Sequence, residues 1–358
     1  MTMPLHIIEP TLEGEAGHCF SFVNSLCCAA CGHPITVWCG RGASVSFPPG
    51  VRVNRLFFRR LRRLQAWWLY RTLLKQPGRI FVATGGRTDL ALLDLAARGG
   101  IPANKVYLYV HWFRTSPARR RQLETLAARQ PEMVIFAPTA SVCEEFRAAG
   151  FGHTRHVPYP ITPLESPVPS EAPQGFSHVL FAGAARHDKG FSEVVSFVEL
   201  LAATGRSIPV SLQTSAQHYD KIDEATSSGL SRLERLDYPH LKRYADTLEH
   251  GDYRALFKGA ICLQLYSRQD FADRISGVTL DALSMGSPVV TLSGTWIARV
   301  VSEFDAGLVL ESPAPEAVLA AVDSIMANYE QYCRRALEAG RELQKRNSAA
   351  LLFRELMA

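Results

Sequence analysis

Two segments in the second half of this 358-residue chain combine residue types that hold phosphate groups. The first, Phe181-Ala-Gly-Ala-Ala-Arg-His-Asp-Lys-Gly190, follows a strand-like apolar run and precedes an amphipathic stretch from Ser192. Small residues at Gly183, Ala184 and Ala185 let the backbone approach a ligand, and Arg186 and Lys189 add two cations to the same turn. A strand-to-helix turn of this kind suits a diphosphate, with Arg bonding bidentately and Lys acting as a point charge. A solvated turn kept soluble by its cations fits the same residues. The second segment is Asp273-Arg-Ile-Ser-Gly-Val-Thr-Leu-Asp281-Ala-Leu-Ser-Met-Gly-Ser-Pro-Val-Val290. A helix opening at Ser276 and Gly277 would turn the free N–H groups of Ser276, Gly277 and Val278 toward an anion. Asp273 precedes that helix and Asp281 lies on it, so both carboxylates can border one pocket and accept hydrogen bonds from ribose or sugar hydroxyls. An exposed helix carboxylate at 281 and a capping acid at 273 are the plainer alternatives.

The first half offers fewer such groups. Glu13-Gly-Glu-Ala-Gly-His18 follows the first apolar run and opens a helix; Gly14 and Gly17 give the loop freedom, and His18 either bonds a phosphate or caps the helix. His111 ends the run from Val106, where a strand's carboxyl end would aim it at a cleft, unless it is an ordinary histidine satisfied within its loop. Arg52–Lys75 is the most unusual segment: Arg55, Arg59, Arg60, Arg62, Arg63 and Arg71 intermix with Phe57, Trp67, Trp68 and leucines at near-helical spacing. A basic face beside Trp and Phe suits an anionic membrane surface or an anionic acceptor; a basic surface helix packed on a sheet is the alternative. Arg114, Arg119, Arg120 and Arg121 form a second basic cluster. No RNA-binding signature accompanies the charge, so nucleic acid is not expected as a partner.

These groups need a scaffold, and the apolar pattern supplies one. Strand-like runs at Leu5–Ile8, Ile35–Cys39, Ile80–Ala83, Val106–His111, Met133–Ala137, His178–Ala182, Ile208–Leu212, Ile261–Tyr266, Pro288–Leu292 and Gly307–Leu310 alternate with amphipathic helical stretches. Such alternation means parallel sheets with helical crossovers, an α/β architecture. Six prolines between Pro158 and Gly175 mark a linker, dividing the chain into 1–165, a linker over 166–177, 178–329, and a final helix over 330–358. Residues 1–165 hold 20 Lys and Arg against 10 Asp and Glu, and residues 166–358 hold 19 against 24, so a net charge of +5 conceals +10 and −5. That asymmetry assigns an anionic partner or surface to the first half. No run approaches the roughly 20 apolar residues that span a bilayer, and Met1-Thr-Met-Pro has no basic leader. A cytoplasmic protein is expected, with the inner membrane face open to it. Cys27, Cys28 and Cys31 lack a second pair at zinc spacing, so a packed helix joining Cys27 and Cys31 is expected in place of a metal site.

The 178–310 region resembles the retaining GT-B glycosyltransferases of family 4. Their Glu-x7-Glu motif and following Glu-Ala-Met-x-x-Gly-x-Pro-Val-Val pattern are matched by Asp273, Asp281 and Asp281-Ala-Leu-Ser-Met-Gly-Ser-Pro-Val-Val290, and their Gly-Arg…Glu-Lys-Gly turn by Gly183…Asp188-Lys189-Gly190. The resemblance implies two Rossmann-like domains facing each other across a cleft and sugar transfer, with retention, from a nucleotide-diphosphate donor to an acceptor hydroxyl. Glycan, lipid-linked and other hydroxyl acceptors all fit, as does a place in cell-surface polysaccharide or glycolipid synthesis. It implies that Lys189 binds the diphosphate, Asp281 the ribose, Asp273 the transferred sugar, and that Thr295 touches the donor. His111 would lie near the donor sugar, and the Gly14–Gly17–His18 loop near the phosphate or acceptor. No cofactor or metal is implied; the nucleotide sugar is a substrate. Two departures stand out: Ala184 replaces the family's Arg, leaving Arg186 to supply that charge, and both motif glutamates are aspartates. These departures also fit a catalytically weakened binding or scaffold protein, and the fold fits a nucleotide-sugar epimerase.

Overall fold

The computed structural model describes residues 3–15, 18–113, 116–161, 175–215, 222–246 and 248–358, apart from the His18 and His250 side chains. The chain forms two compact units, Met1–Pro163 with Arg346–Ala358, and Leu164–Lys345.

The first unit has strands β1 (Leu5–Ile8), β2 (Ile35–Gly40), β3 (Val51–Phe57), β4 (Arg79–Val82), β5 (Val106–Tyr109), β6 (Val134–Ala137) and β7 (Thr154–His156). They form one parallel sheet in the order β3-β2-β1-β4-β5-β6-β7. Helices α1 (His18–Ala29), α2 (Arg62–Leu73), α3 (Arg87–Ala96), α4 (Pro117–Arg129) and α5 (Ala140–Ala148) make the crossovers. Buried residues of α2 to α5, such as Leu69, Leu93, Leu126 and Phe146, share one core, while Phe22 and Leu26 of α1 belong to the core on the other face. The central strands β5 and β6 are buried at every position, as expected for a parallel sheet covered on both faces.

The second unit has β8 (His178–Phe181), β9 (Val210–Gln213), β10 (Leu241–Tyr244), β11 (Ala260–Gln264), β12 (Val289–Leu292) and β13 (Gly307–Leu310), parallel in the order β10-β9-β8-β11-β12-β13. Its helices are α6 (Phe191–Ala203), α7 (Glu224–Arg235), α8 (His250–Ala255), α9 (Arg268–Phe271), α10 (Gly277–Ser284), α11 (Trp296–Phe304), α12 (Pro315–Ala327) and α13 (Tyr329–Arg346). At Gly340 of α13 a Cβ would lie 2.6 Å from the Leu283 carbonyl oxygen, so glycine lets α13 lie directly on the end of α10.

Several details differ from the sequence pattern. The final helix expected over 330–358 is two helices: α13 ends at Arg346, and α14 (Ala349–Met357) follows a break at which the Ser348 hydroxyl accepts from Ala350 N–H. Cys333 of α13 joins the second unit's core, whereas Leu352 and Leu356 of α14 join the first unit's. Helix α1 stops at Ala29, so Cys31 is exposed beyond it while Cys27 is buried in the core. No cluster of three or more His, Cys, Asp or Glu among the described residues is arranged to hold a metal ion. Arg52–Lys75 is a strand, a turn and a helix: Arg52, Arg55 and Phe57 lie on β3, Phe58 to Leu61 form the turn, and α2 begins at Arg62. Residues 162–174, which include most of the linker expected over 166–177, lie outside the described residues, as do Arg114 and Gly17. No helix among the described residues is long and apolar enough to cross a membrane.

Candidate active site

In the second unit, strand order reverses between β8 and β11. The loops leaving these two neighbours run in opposite directions, opening a crevice at their carboxyl ends, the place where open α/β sheets hold ligands. The two chemistry-bearing segments meet there. Gly183, just past β8, has φ +88°, and its N–H donates to Gln213 Oε1 at the end of β9, 2.6 Å away. Ala185 N–H donates to the Ser215 carbonyl, 3.0 Å away, so the turn is pinned from both sides of its small residues. A Cβ at Gly183 would lie 2.9 Å from Lys189 Nζ and 3.2 Å from Val278 Cγ2. The glycine, the lysine amine and the start of α10 therefore surround one point.

Gly190 makes this possible. It has φ +70°, and a Cβ there would stand 2.1 Å from the Leu265 carbonyl oxygen, in the loop after β11. Ser267 N–H donates to the Asp188 carbonyl at 3.0 Å, fastening the two crossover loops together. Across them the Lys189 amine sits 5.8 Å from the Tyr266 ring centroid. Its pKa is pushed down to about 8, first by withdrawal from water and then by the cations Arg186 and Arg274, with Asp188 opposing.

Ser276 caps α10, its buried hydroxyl accepting from Thr279 N–H at 3.3 Å. Thr279 in turn donates to Gln264 Oε1 at the end of β11, fixing the helix to the sheet. A Cβ built at Gly277 meets nothing within 4 Å, so the first turn of α10 opens onto unfilled space. Its leading N–H groups carry the positive end of the helix dipole. The buried Tyr266 hydroxyl beside it has no hydrogen-bond partner of normal geometry among the described residues.

Arg186 gives Nε and Nη2 to the two oxygens of Asp188, so its fork is engaged within the turn. Arg274 comes within 3.5 Å of the same carboxylate and stacks 4.9 Å from the Phe271 ring centroid. Three cations thus gather around one carboxylate, and Arg274 is the one the sequence reading did not single out. Asp281 accepts from Tyr253 Oη at 3.1 Å, whereas Asp273, half-exposed, pairs with Arg299 at 3.0 Å; the two motif carboxylates engage different partners. Thr295 is fully buried, its hydroxyl capping α11 at Ala298 N–H and donating to the Leu292 carbonyl, so its side chain holds the loop after β12.

In the first unit the strand order reverses between β1 and β4. Glu9, just past β1, is wholly buried and accepts from the Thr11 N–H and hydroxyl and from the Thr84 hydroxyl past β4. Burial pushes its carboxyl pKa up. One strand further, His111 lies beyond the end of β5, which stops at Tyr109. Its ring packs among Phe22, Tyr109 and Tyr159, with centroids 5.1 to 5.4 Å away. Nε2 lies 2.9 Å from the Ala83 carbonyl, which accepts, so the neutral ring carries its proton there. Gly14 has open space at its Cβ position; the His18 side chain lies outside the described residues. Glu9 and Thr84 in the first unit, and Tyr253 in the second, were missed because each sits alone in sequence: only the fold brings Thr84 to Glu9 and Tyr253 to Asp281.

No protein-family model and no curated protein matches the chain by sequence. Solved structures match it over nearly its whole length. Sucrose-phosphate synthase from Thermosynechococcus elongatus gives a TM-score of 0.72 at 14% identity, over 99% of this chain and 98% of that one. Trehalose-6-phosphate synthase, OtsA, gives 0.71 at 11% over 98% of each. HepE from Anabaena, in complex with UDP and glucose, gives 0.69 at 13% over 99% and 98%. The chain has the GT-B fold. Within that fold the β8 and β11 loops and the start of α10 are the switch-point elements of the C-terminal Rossmann-like unit.

Proposed function

We propose that the protein is a glycosyltransferase that binds a nucleoside diphosphate sugar in its second unit and passes the sugar to an acceptor hydroxyl. The observation that carries this reading is the meeting of Gly183, Lys189 and the open first turn of α10 at the switch point of the sheet. A diphosphate is the ligand that this arrangement suits: a glycine for close backbone approach, a lysine beside it, and a helix N-terminus in unfilled space. Asp281, which already accepts from Tyr253, would take the ribose hydroxyls. The nucleotide-bound HepE structure makes UDP-glucose the first donor to test.

Catalysis in this reading is electrostatic. As the glycosidic bond to the diphosphate lengthens, negative charge grows on the departing phosphate. Lys189, Arg274 and the α10 N–H groups stabilise that charge more than they stabilise the intact donor, which lowers the barrier. Arg186 contributes only after loosening its grip on Asp188. Retention of configuration rests on the family resemblance. The first unit, with Thr11, Thr84 and His111 around its own switch point, offers hydroxyl and imidazole groups suited to a sugar acceptor. A glycan or lipid-linked acceptor fits that reading.

Thermal-shift screening of nucleotide sugars identifies the donor, because a ligand bound only by the native state raises the midpoint. Hydrolysis or transfer is then followed for wild type and Lys189→Ala. Turnover that vanishes in the variant supports the site; unchanged turnover overturns it. Donor binding without turnover with any acceptor would favour the scaffold alternative, and donor isomerisation without acceptor would favour an epimerase.

A further inference from the structure

The outer face of α2 carries a surface that the donor site does not explain. Its inner face is conventional: Ala66, Leu69, Tyr70 and Leu73, spaced three and four residues apart, are buried. Leu61, Leu64 and Trp68 recur at the same spacing on the opposite side, at 54%, 62% and 54% exposure, and Phe58 in the preceding turn is 47% exposed. Of the eight large apolar side chains exposed among the described residues, these four fall within eleven positions. Isolated surface apolar residues need no explanation, but a contiguous stripe does.

Local stability does not account for them. Leu61 occupies the N-cap of α2 and makes no side-chain cap bond, at a position where Ser, Thr, Asp or Asn would stabilise the helix. The turn is also held firmly: Gln65 accepts from Phe58 N–H at 2.8 Å and donates to the Leu56 carbonyl at 3.0 Å. The Phe58 backbone is thus held by a polar clamp, and Leu61 N–H donates to the Phe58 carbonyl at 3.0 Å. Charge surrounds the stripe. Arg59, Arg60, Arg62 and Arg63 interleave with it, Arg41 lies 5.4 Å from the Phe58 ring centroid, and Arg71 and Lys75 border an open depression beside Trp68. Between Glu15 and Asp89 the chain has eleven Lys and Arg and no Asp or Glu.

We propose that this face docks on an anionic lipid bilayer, with Phe58, Leu61, Leu64 and Trp68 at the boundary of headgroups and acyl chains and the arginines on lipid phosphates. A helix lying in the interface plane needs both features, buried apolar area and attraction to anionic headgroups. Arginine stems can run along the apolar stripe while their guanidinium groups reach the phosphates. Nucleic acid would use the cations and Trp68 but gains nothing from two exposed leucines. A second copy of this chain would press one uncompensated basic surface against another.

The test uses the full chain with phosphatidylcholine vesicles, with and without phosphatidylglycerol, in a flotation assay. Wild type is expected to float with the anionic vesicles and to release as salt rises. A Leu61→Glu/Leu64→Glu variant and an Arg59→Gln/Arg60→Gln/Arg63→Gln variant are each expected to lose about tenfold or more in affinity, the first through lost apolar burial and the second through lost attraction to the headgroups. Both should keep the wild-type thermal midpoint, because none of the altered residues is buried. Failure of wild type to float, equal flotation by the leucine variant, tighter binding to an RNA oligonucleotide than to vesicles, or a wild-type dimer that the leucine variant abolishes would each overturn the proposal. Flotation does not depend on donor turnover, so its failure leaves the enzymatic reading standing.

Discussion

Replacing Lys189 with Met should stabilise the unliganded protein while destroying its donor site. The amine is held at about 8 against an ordinary value of 10.5, chiefly by withdrawal from water and then by Arg186 and Arg274. That depression corresponds to at most about 3 kcal/mol of resistance to the charged form. Lysine is an unusual case in sign, since its folded value lies below its unfolded one. Below pH 8 both states carry the proton and the whole cost is present. Between about 8 and 10.5 the unfolded chain binds more protons than the folded one, so wild-type stability rises with pH in that window. Met keeps the apolar stem and has no charge to bury. Its advantage in denaturant unfolding should be about 1–3 kcal/mol at pH 7 and should shrink toward zero by pH 10.5. In parallel, the midpoint rise that a nucleotide sugar gives wild type should disappear. A variant less stable than wild type at pH 7, or a gap that stays constant from pH 8 to 10, would refute the burial argument. Undiminished donor binding would refute the site.

Three further outcomes follow from the same geometry. Gly183→Ala puts a Cβ 2.9 Å from Lys189 Nζ at φ +88°, and should lower donor affinity about tenfold by calorimetry, with about 1–2 kcal/mol lost in stability. Asp281→Asn should weaken donor binding more than Tyr253→Phe, while Tyr253→Phe costs about 1 kcal/mol of stability through its lost hydrogen bond; denaturation and binding curves for the pair separate the roles. Glu9→Gln should gain stability relative to wild type as pH rises. Its raised carboxyl pKa means that the contribution of Glu9 is complete only below about 4.5 and is lost as pH climbs through the folded value; midpoints measured across that range check the sign.

Much of the fold could be read from the sequence because buried parallel strands leave continuous apolar runs. Ten such runs were readable, and all ten are strands, with ends shifted by up to two residues. The three that were not, β3, β7 and β10, are all sheet edges. Arg52 and Arg55 on β3, and Lys242 and Arg243 on β10, break the apolar pattern because an edge strand faces water and gains from charge. At the site, spacing brought Gly183, Lys189, Ser276 and Val278 forward, and packing joins them. Charge singles out Arg186 and Asp273 in the sequence, but charge alone does not say which carboxylate or guanidinium a side chain meets first, here Asp188 and Arg299. The resemblance assigns Thr295 to the donor; its role as a cap appears only with the helix it starts. Arg274 was hidden because its neighbours Asp273 and Ser276 already explained the segment.

The charge asymmetry between the halves takes on a different meaning once the switch points are compared. The acidic half places Lys189, Arg186 and Arg274 at the reversal of its sheet, and the basic half places a buried Glu9 at the reversal of its own. Each switch point therefore holds ionisable groups of the type opposite in sign to the net charge of its half. The acidic half can hold a diphosphate through local cations while its other surfaces remain negative. In the basic half the excess positive charge lies away from the switch point, much of it around the exposed stripe of α2. A surplus needed to bind substrate would be concentrated where the strands end. This one surrounds apolar side chains on an outer helix face, which is where a protein meets a large anionic surface.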